Sequence, residues 1–269
     1  MFKSSLETLT VENLINNQVH EININNLSVN LKVFIKPNNN KLVVFSNGAV
    51  DRTKKDPPIF QRSSWYKEID ANCIFLDDKT IHQALLNTGW GVGTADRHYL
   101  KDYSIIIKKI ASLLSIHDNN VTYYGSSAGG FMSIILATFH TDSLAIVNNP
   151  QIDLNKHFNP NSVNKLFEAV FPNSKREDII KNYSERINVV ENILKQEYMP
   201  NLVYIQNKQS IPDMNIHYNP FFESIEKHQL DISSVQSILY NNEKLGHNPL
   251  NQETTLFFIN TIINNKLKF

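Results

Sequence analysis

The chain has 269 residues, of which 41% are hydrophobic and 19% are charged. This composition can bury a sizeable core, so it predicts a folded protein and not a disordered one, with residues 1–269 forming a single domain. Lysine and arginine number 26, as do aspartate and glutamate, so the formal net charge is zero. That balance argues against a nucleic-acid partner, which requires a basic surplus or a basic face.

Cysteine, metal and membrane signals are weak. The single cysteine, Cys73, lies in the apolar run 73–76, which predicts a small buried hydrophobic residue. No helical His-x-x-x-His pair with an accompanying glutamate occurs, so no metal site is predicted. The N-terminus lacks the apolar stretch of a signal peptide, and no run of about 18 apolar residues would span a membrane. We therefore expect a cytoplasmic protein.

Short apolar runs alternate with segments of helical spacing along the chain. The apolar runs are 29–35, 42–45, 73–76, 121–124, 144–147, 202–205 and 235–240, and the helical segments are 103–114, 131–139 and 253–267. Apolar runs ending at polar or glycine turn residues are typical of strands buried on both faces. The alternation predicts an α/β fold with a mostly parallel central sheet and helices on both faces. Residues from about 155 to 196 show helical patches without a strand, which predicts a helical cap inserted between two strands.

The strongest motif is Gly125-Ser126-Ser127-Ala128-Gly129, which matches G-x-S-x-G. In this pattern a strand turns sharply into a helix and exposes the serine hydroxyl, and glycines avoid collisions on either side. An apolar strand precedes the motif and an apolar helical segment follows it, which indicates that Ser127 is a nucleophile. The alternative is a turn that merely lets a helix pack close to the sheet. A phosphate-binding loop fits poorly because no Lys-Ser/Thr pair follows the glycines.

A serine nucleophile needs a base, and in this architecture the order along the chain is serine, acid, histidine. His247 lies between the last predicted strand and the last helix, in a loop fixed by Gly246 and Pro249, and is the predicted base. Three other histidines are expected to be solvated: His117, His140 and His228.

The acid is expected after the penultimate strand. Asp213 is the only carboxylate in 206–219 and is the leading candidate, with Asp231 as the alternative. Its carboxylate would accept the second imidazole N–H and hold the tautomer. His217 either faces the same pocket or lies on a surface loop.

The oxyanion of an acyl-transfer intermediate needs N–H donors. One is predicted to be the backbone N–H of Ala128, which follows the nucleophile, and the second to be the N–H of Asn47 or Gly48 in the loop after an early strand.

Two further segments are candidates for substrate binding. The cations are Arg52, Lys54, Lys55 and Arg62, which could hold a phosphate or carboxylate or could form a solvated charged loop. Trp90 lies beside glycines in a loop, where it could stack on a sugar or adenine or could simply fill the loop.

With these motifs the chain resembles the α/β-hydrolase superfamily over most of its length. More narrowly, segments 45–49 and 146–151 make it look like hydrolase-fold proteins of bacterial capsule and surface-polysaccharide loci. That resemblance implies an O-acetyltransferase without a tightly bound cofactor, which moves acetyl from acetyl-CoA through the serine to a glycan or small-molecule acceptor. The alternatives are an esterase or deacetylase on the same triad, or a non-catalytic accessory protein of glycan assembly. An apolar face on the cap could also pair protomers into a homo-oligomer.

Overall fold

The computed structural model describes residues 1–265, and within this range nine strands form one sheet. The strands are β1 (Phe2–Ser5), β2 (Val19–Ile24), β3 (Leu27–Phe34), β4 (Leu42–Phe45), β5 (Asn72–Leu76), β6 (Val121–Ser126), β7 (Leu144–Asn148), β8 (Asn201–Asn207) and β9 (Val235–Tyr240). Their order across the sheet is β1-β2-β3-β5-β4-β6-β7-β8-β9. From β5 through β9 every neighbouring pair is parallel, whereas β3 runs antiparallel to both of its neighbours.

The central strands are apolar because both faces of the sheet are covered. Every residue of β4, β5 and β6 is buried. One hydrophobic cluster fills each side of the sheet, and α9 (Gln252–Asn265) packs on one of them. Cys73 is buried in the cluster that packs against α9, as the sequence predicted. Burial raises the pKa of its thiol to about 12.

The helices alternate with the strands as the sequence indicated. The others are α1 (Tyr99–Leu113), α2 (Ala128–Phe139), α3 (Pro160–Val170), α4 (Arg176–Asn182), α5 (Ser184–Ile187), α6 (Val189–Gln196), α7 (Ile211–Asp213) and α8 (Asn219–Lys227). The predicted helix 253–267 corresponds to α9, and its last two residues lie outside the described residues. None of the described helices is both long enough and apolar enough to span a membrane.

The region predicted as a cap consists of helices α3 to α6, which lie between β7 and β8. Arg186 of α5 is buried, and its guanidinium donates to the carbonyl oxygens of Val92, Ala95 and Arg97. Its charge also lies over the rings of neighbouring aromatic residues in the insertion. This arginine therefore ties the insertion to the loop before α1.

The expectation for His140 was wrong. This side chain is fully buried and bridges the Tyr123 hydroxyl (2.7 Å) and the Asp118 carboxylate (2.9 Å). It follows α2 directly, in the connection that leads to β7. His117 and His228 are exposed, as expected.

Candidate active site

Ser127 lies in the turn between β6 and α2. Its backbone has φ 53° and ψ −121°, a conformation that non-glycine residues rarely adopt. The turn is held by the Ser127 N–H, which donates to the Asn148 carbonyl (3.2 Å), and by the Gln151 N–H, which donates to the Ser127 carbonyl (3.1 Å). The surrounding backbone therefore fixes this strained conformation.

The glycines on either side of Ser127 allow this turn to form. A Cβ atom on Gly125 would lie 2.1 Å from the Gly129 carbonyl oxygen. One on Gly129 would lie 2.6 Å from the carbonyl oxygen of Ser46, in the loop after β4. Both distances are shorter than real Cβ contacts, so the motif spacing reflects a steric requirement.

His247 reaches Ser127 from the loop between β9 and α9. Its Nε2 lies 2.8 Å from Ser127 Oγ. The loop is fixed by Asn149, whose amide donates to the His247 carbonyl (3.1 Å), and by Asn207, whose amide donates to the Gly246 carbonyl (2.9 Å). Two side chains at the carboxyl ends of β7 and β8 thus hold the imidazole in place.

Asp213 completes the hydrogen-bonded chain. His247 Nδ1 lies 2.9 Å from Asp213 Oδ1 and 2.8 Å from Oδ2, and the carboxylate also accepts the Ser210 hydroxyl (2.5 Å). These contacts assign the proton of the neutral imidazole to Nδ1, which leaves Nε2 to accept from the serine hydroxyl. The alternative acid, Asp231, is exposed and accepts the Ser233 N–H.

The backbone N–H groups predicted to stabilise an oxyanion differ in their hydrogen bonds. Ala128 is the first residue of α2, where N–H groups lack intrahelical acceptors. Within residues 1–265 the Asn47 N–H has no backbone or side-chain acceptor, whereas the Gly48 N–H donates to Gln61 Oε1 (2.9 Å). Of the two predicted second donors, Asn47 is therefore the one whose N–H is not already engaged.

Gln61 was not identified from the sequence, although it belongs to a network that fixes the loop after β4. The Asn47 side chain donates to the Ile59 carbonyl (2.6 Å) and accepts the Gln61 N–H (3.0 Å). The Ile59 N–H in turn donates to Asp77, which also pairs with His82 (2.5 Å). No local motif marks these partners, because they are distant in sequence.

A second network forms the wall of the site beside the insertion. Trp90 is buried and donates from its indole to Gln151, so the interpretation that it fills its loop is favoured over ligand stacking. Gln151 also donates to His157 Nε2 (2.6 Å), and burial lowers the pKa of His157. Phe158 follows, 52% exposed, with its ring edge-on to His247 at 5.7 Å between centroids.

His217 is fully buried, so the alternative that placed it on a surface loop is wrong. Its Nδ1 accepts the Ile152 N–H (3.3 Å). Burial lowers the pKa of His217 to about 4, so the ring is neutral near pH 7. It therefore supports the segment after β7 without carrying charge.

The four candidate cations have different surroundings. Arg52 pairs with Asp56 (3.5 Å) and Lys54 with Asp51 (3.0 Å). Arg62 donates to the Ser126 hydroxyl (2.7 Å), next to the nucleophile, and Lys55 lies near it along the surface. Within residues 1–265, no three His, Cys, Asp or Glu side chains lie close enough together to hold a metal ion.

Solved structures resemble the backbone of this chain closely enough to define the fold. The capsule O-acetyltransferase of Neisseria meningitidis serogroup A superposes with a TM-score of 0.66 at 14% identity, covering 90% of this chain and 96% of that one. The chain has an α/β-hydrolase fold. A variant of the same enzyme in complex with CoA gives a TM-score of 0.66 at 16% identity, covering 94% and 99% of the two chains.

Esterases are also among the similar structures. A thermophilic esterase of Thermogutta terrifontis gives a TM-score of 0.56 at 13% identity and covers 94% of this chain and 95% of the esterase. No protein-family model matches the sequence, and a comparison with curated proteins finds no match. The resemblance to known proteins therefore lies in the fold.

Proposed function

We propose that this protein is a serine-nucleophile O-acetyltransferase that moves acetyl from acetyl-CoA to a hydroxyl of a bacterial capsular or surface polysaccharide. The observation that carries the proposal is the hydrogen-bonded chain from Ser127 through His247 to Asp213. A serine in this setting can lose its proton to the imidazole as it attacks, and the carboxylate stabilises the imidazolium that forms.

The proposed reaction has two half-reactions with the same imidazole. Ser127 Oγ attacks the thioester carbonyl while His247 Nε2 takes its proton, and the N–H groups of Ala128 and Asn47 stabilise the oxyanion. Collapse of the intermediate breaks the C–S bond, and the imidazolium returns the proton to the leaving thiolate. A sugar hydroxyl then attacks the acetyl-enzyme, losing its proton to His247, and collapse returns that proton to Ser127 as the new ester leaves.

Acetyl transfer to a glycan is favoured by two resemblances. The sequence segments around residues 45–49 and 146–151 resemble proteins of capsule loci, and the fold resembles a capsule O-acetyltransferase and its variant in complex with CoA. A cytoplasmic location, where acetyl-CoA is made, and pairing of protomers through the insertion stay predictions.

Hydrolysis is the second candidate function. The His247 side chain is 31% exposed and the neighbouring Phe158 is open to solvent, so water can reach an acyl group on Ser127. An esterase would use the same residues with water as acceptor, and esterases share the fold. A non-catalytic role predicts that Ser127 and His247 lie beyond hydrogen-bond reach, and their separation of 2.8 Å opposes it.

The decisive experiment is intact-protein mass spectrometry after incubation with acetyl-CoA. We expect a gain of one acetyl group, about 42 Da, that disappears in Ser127→Ala. Ser112→Ala, at an exposed position on α1, is the matched control and should still be acetylated. Rapid loss of the acetyl group in buffer without a sugar would favour the esterase. Absence of acetylation, together with cleavage of p-nitrophenyl acetate that requires Ser127, would contradict acetyl-CoA as the donor. It would still support Ser127 as the nucleophile.

A further inference from the structure

A surface groove lies beside the turn that carries Ser127. Its volume is about 460 Å³, and it is lined by Lys55, Phe60, Gln61, Arg62, Ser63 and Ser64. The lining combines two cations with two hydroxyl groups and a single aromatic ring. Such a surface suits an anion with several oxygen atoms better than an apolar ligand.

Arg62 is the fixed element of this groove. Its backbone adopts a left-handed conformation, with φ 63°, at the start of the short helix Ser63–Glu68. The guanidinium lies over the rings of Trp65 (5.4 Å) and Tyr124 (5.6 Å) and donates through Nη2 to Ser126 Oγ. An arginine held on two rings and one hydroxyl has lost most of its rotamer freedom before any ligand arrives.

The charge of this arginine is not neutralised. Within residues 1–265 no carboxylate lies within 4 Å of Arg62 or Lys55, and Arg62 Nη1 has no acceptor. The nearby Arg52 and Lys54 each have a carboxylate partner. A partly buried guanidinium without a counter-charge is costly, and an anion bound in the groove would offset that cost.

Two residues of the groove contact the segments that form the reaction centre. Ser126, which accepts from Arg62, precedes the nucleophile in the chain. Gln61, which also lines the groove, accepts the Gly48 N–H and donates to the Ala49 carbonyl (2.8 Å), so it holds the loop that carries the oxyanion donor. An anion in the groove would therefore lie beside the residues that hold the nucleophile turn and the loop after β4.

We propose that this groove binds a phosphate group of the substrate, with Arg62 and Lys55 supplying charge and Ser63 and Ser64 supplying hydroxyl donors. The assignment rests on the proposed function in one respect, namely that the molecule bearing the phosphate reacts at Ser127. The phosphate can come from the CoA donor or from the acceptor, and both present the same tetrahedral oxyanion.

The test measures binding without catalysis. Inorganic pyrophosphate and CoA are titrated by calorimetry into the Ser127→Ala protein, which cannot be acylated on this serine. Adding Arg62→Gln or Lys55→Gln is expected to weaken pyrophosphate binding about tenfold or more, because each removes a charge-assisted contact. Lys54→Gln is the matched control, since this lysine is exposed and paired with Asp51, and it should change the affinity less than about twofold.

The CoA titration identifies the source of the phosphate. A loss of CoA affinity that parallels the loss for pyrophosphate assigns the site to the donor. CoA affinity that is unchanged while pyrophosphate affinity falls assigns the site to the acceptor. Lys55 is exposed, so its variant keeps the test informative if Arg62→Gln does not fold.

Absence of pyrophosphate binding, or equal weakening by Lys54→Gln and Lys55→Gln, would overturn the proposed phosphate site. That outcome is separate from failure of the proposed function, which is read from acetylation of Ser127 in the otherwise unchanged protein. Pyrophosphate binding in the groove without acetylation by acetyl-CoA would support the phosphate site and contradict acetyl-CoA as the donor.

Discussion

Asp213 lies several residues beyond the end of β8, on the one-turn helix Ile211–Asp213, and is nevertheless buried against His247. The sequence favoured it only because it was the single carboxylate in 206–219. Two contacts hold the segment between strand and helix: Asn207 Oδ1 accepts the Gln209 N–H (3.2 Å), and the Ser210 hydroxyl donates to Asp213. A sequence pattern cannot show such a path, although it can restrict the choice of acid.

Asp213→Asn should leave the fold intact and lower kcat by about 10⁴-fold, because an amide neither stabilises the imidazolium nor enforces the tautomer. The measurement is Ser127-dependent acetyl transfer, or cleavage of p-nitrophenyl acetate, at saturating substrate. Asp231→Asn is the control and should retain wild-type kcat, since that carboxylate is exposed and contacts Ser233. Equal losses in the two variants would contradict the assignment of the acid.

The buried His217 gives a pH-dependent stability. Burial lowers its pKa from 6.5 to about 4, so the unfolded chain binds a proton in this range while the folded protein does not. The free energy of unfolding should therefore fall as the pH decreases from 6.5 to 4, by about 3 kcal/mol from this residue. His217→Asn keeps an acceptor for the Ile152 N–H and should remove this part of the pH dependence.

Urea unfolding at several pH values between 4 and 7 would measure the difference between the two proteins. The exposed His228→Asn is the control, and its pH profile should follow that of the wild type. A His217→Asn profile parallel to wild type would show that the ring titrates equally in the folded and unfolded states.

Among the structural elements, the turn from β6 to α2 was the most predictable from sequence because its G-x-S-x-G signature lies within five consecutive residues. The contact between Gly129 and Ser46 explains the second glycine of the motif, and it also brings the loop after β4 against the helix N-terminus. By contrast, the bond from the Gly48 N–H to Gln61 joins residues 13 apart and has no sequence signature.

Gly129→Ala should destabilise the protein by at least about 2 kcal/mol and reduce activity, because its Cβ would lie 2.6 Å from the Ser46 carbonyl oxygen. Gly48→Ala is the matched control, because its Cβ would have no atom closer than 3.5 Å. Thermal unfolding of both variants is the measurement. A Gly129→Ala protein as stable as Gly48→Ala would show that the two loops can separate without cost.

The strands missed by sequence analysis, β1 and β2, lie at one edge of the sheet. Phe2–Ser5 has little apolar content, whereas Val19–Ile24 alternates, with His20, Ile22 and Ile24 buried and polar residues between them. β1 pairs with β2, and β2 pairs with β3, so their strand character depends on this pairing and not on a continuous apolar run. The central strands were predictable because burial on both faces leaves an unbroken apolar signal.

At the scale of the whole molecule, the attachment of the insertion depends on Arg186. Its replacement by methionine removes the donors for several carbonyl oxygens in residues 92–97, and we expect a loss of about 3 kcal/mol or more in the free energy of unfolding. Arg176→Met is the control, because this partly exposed arginine contacts Asn155 and Asn164 within the same region. Its loss should be below about 1.5 kcal/mol by urea unfolding.

An equal effect of the two substitutions would place the attachment elsewhere. If Arg186→Met destabilises the protein more than Arg176→Met does, we expect it also to raise the KM for substrate. The loop that Arg186 holds carries Trp90, which contacts Gln151 beside the nucleophile. This link between insertion and site could not be predicted from sequence, since it joins residues about 90 positions apart.

The atoms that exchange the proton, Ser127 Oγ and His247 Nε2, belong to residues 120 positions apart, and β7, β8 and β9 must all be added to the sheet between them. Bringing residues so far apart in sequence into contact costs chain entropy, which slows the formation of that contact. We therefore expect the serine to become reactive only late in folding. During refolding, covalent labelling of Ser127 by a phosphonate reagent should appear after the helical circular dichroism signal. The labelled fraction would then report the fraction of protein that is fully folded.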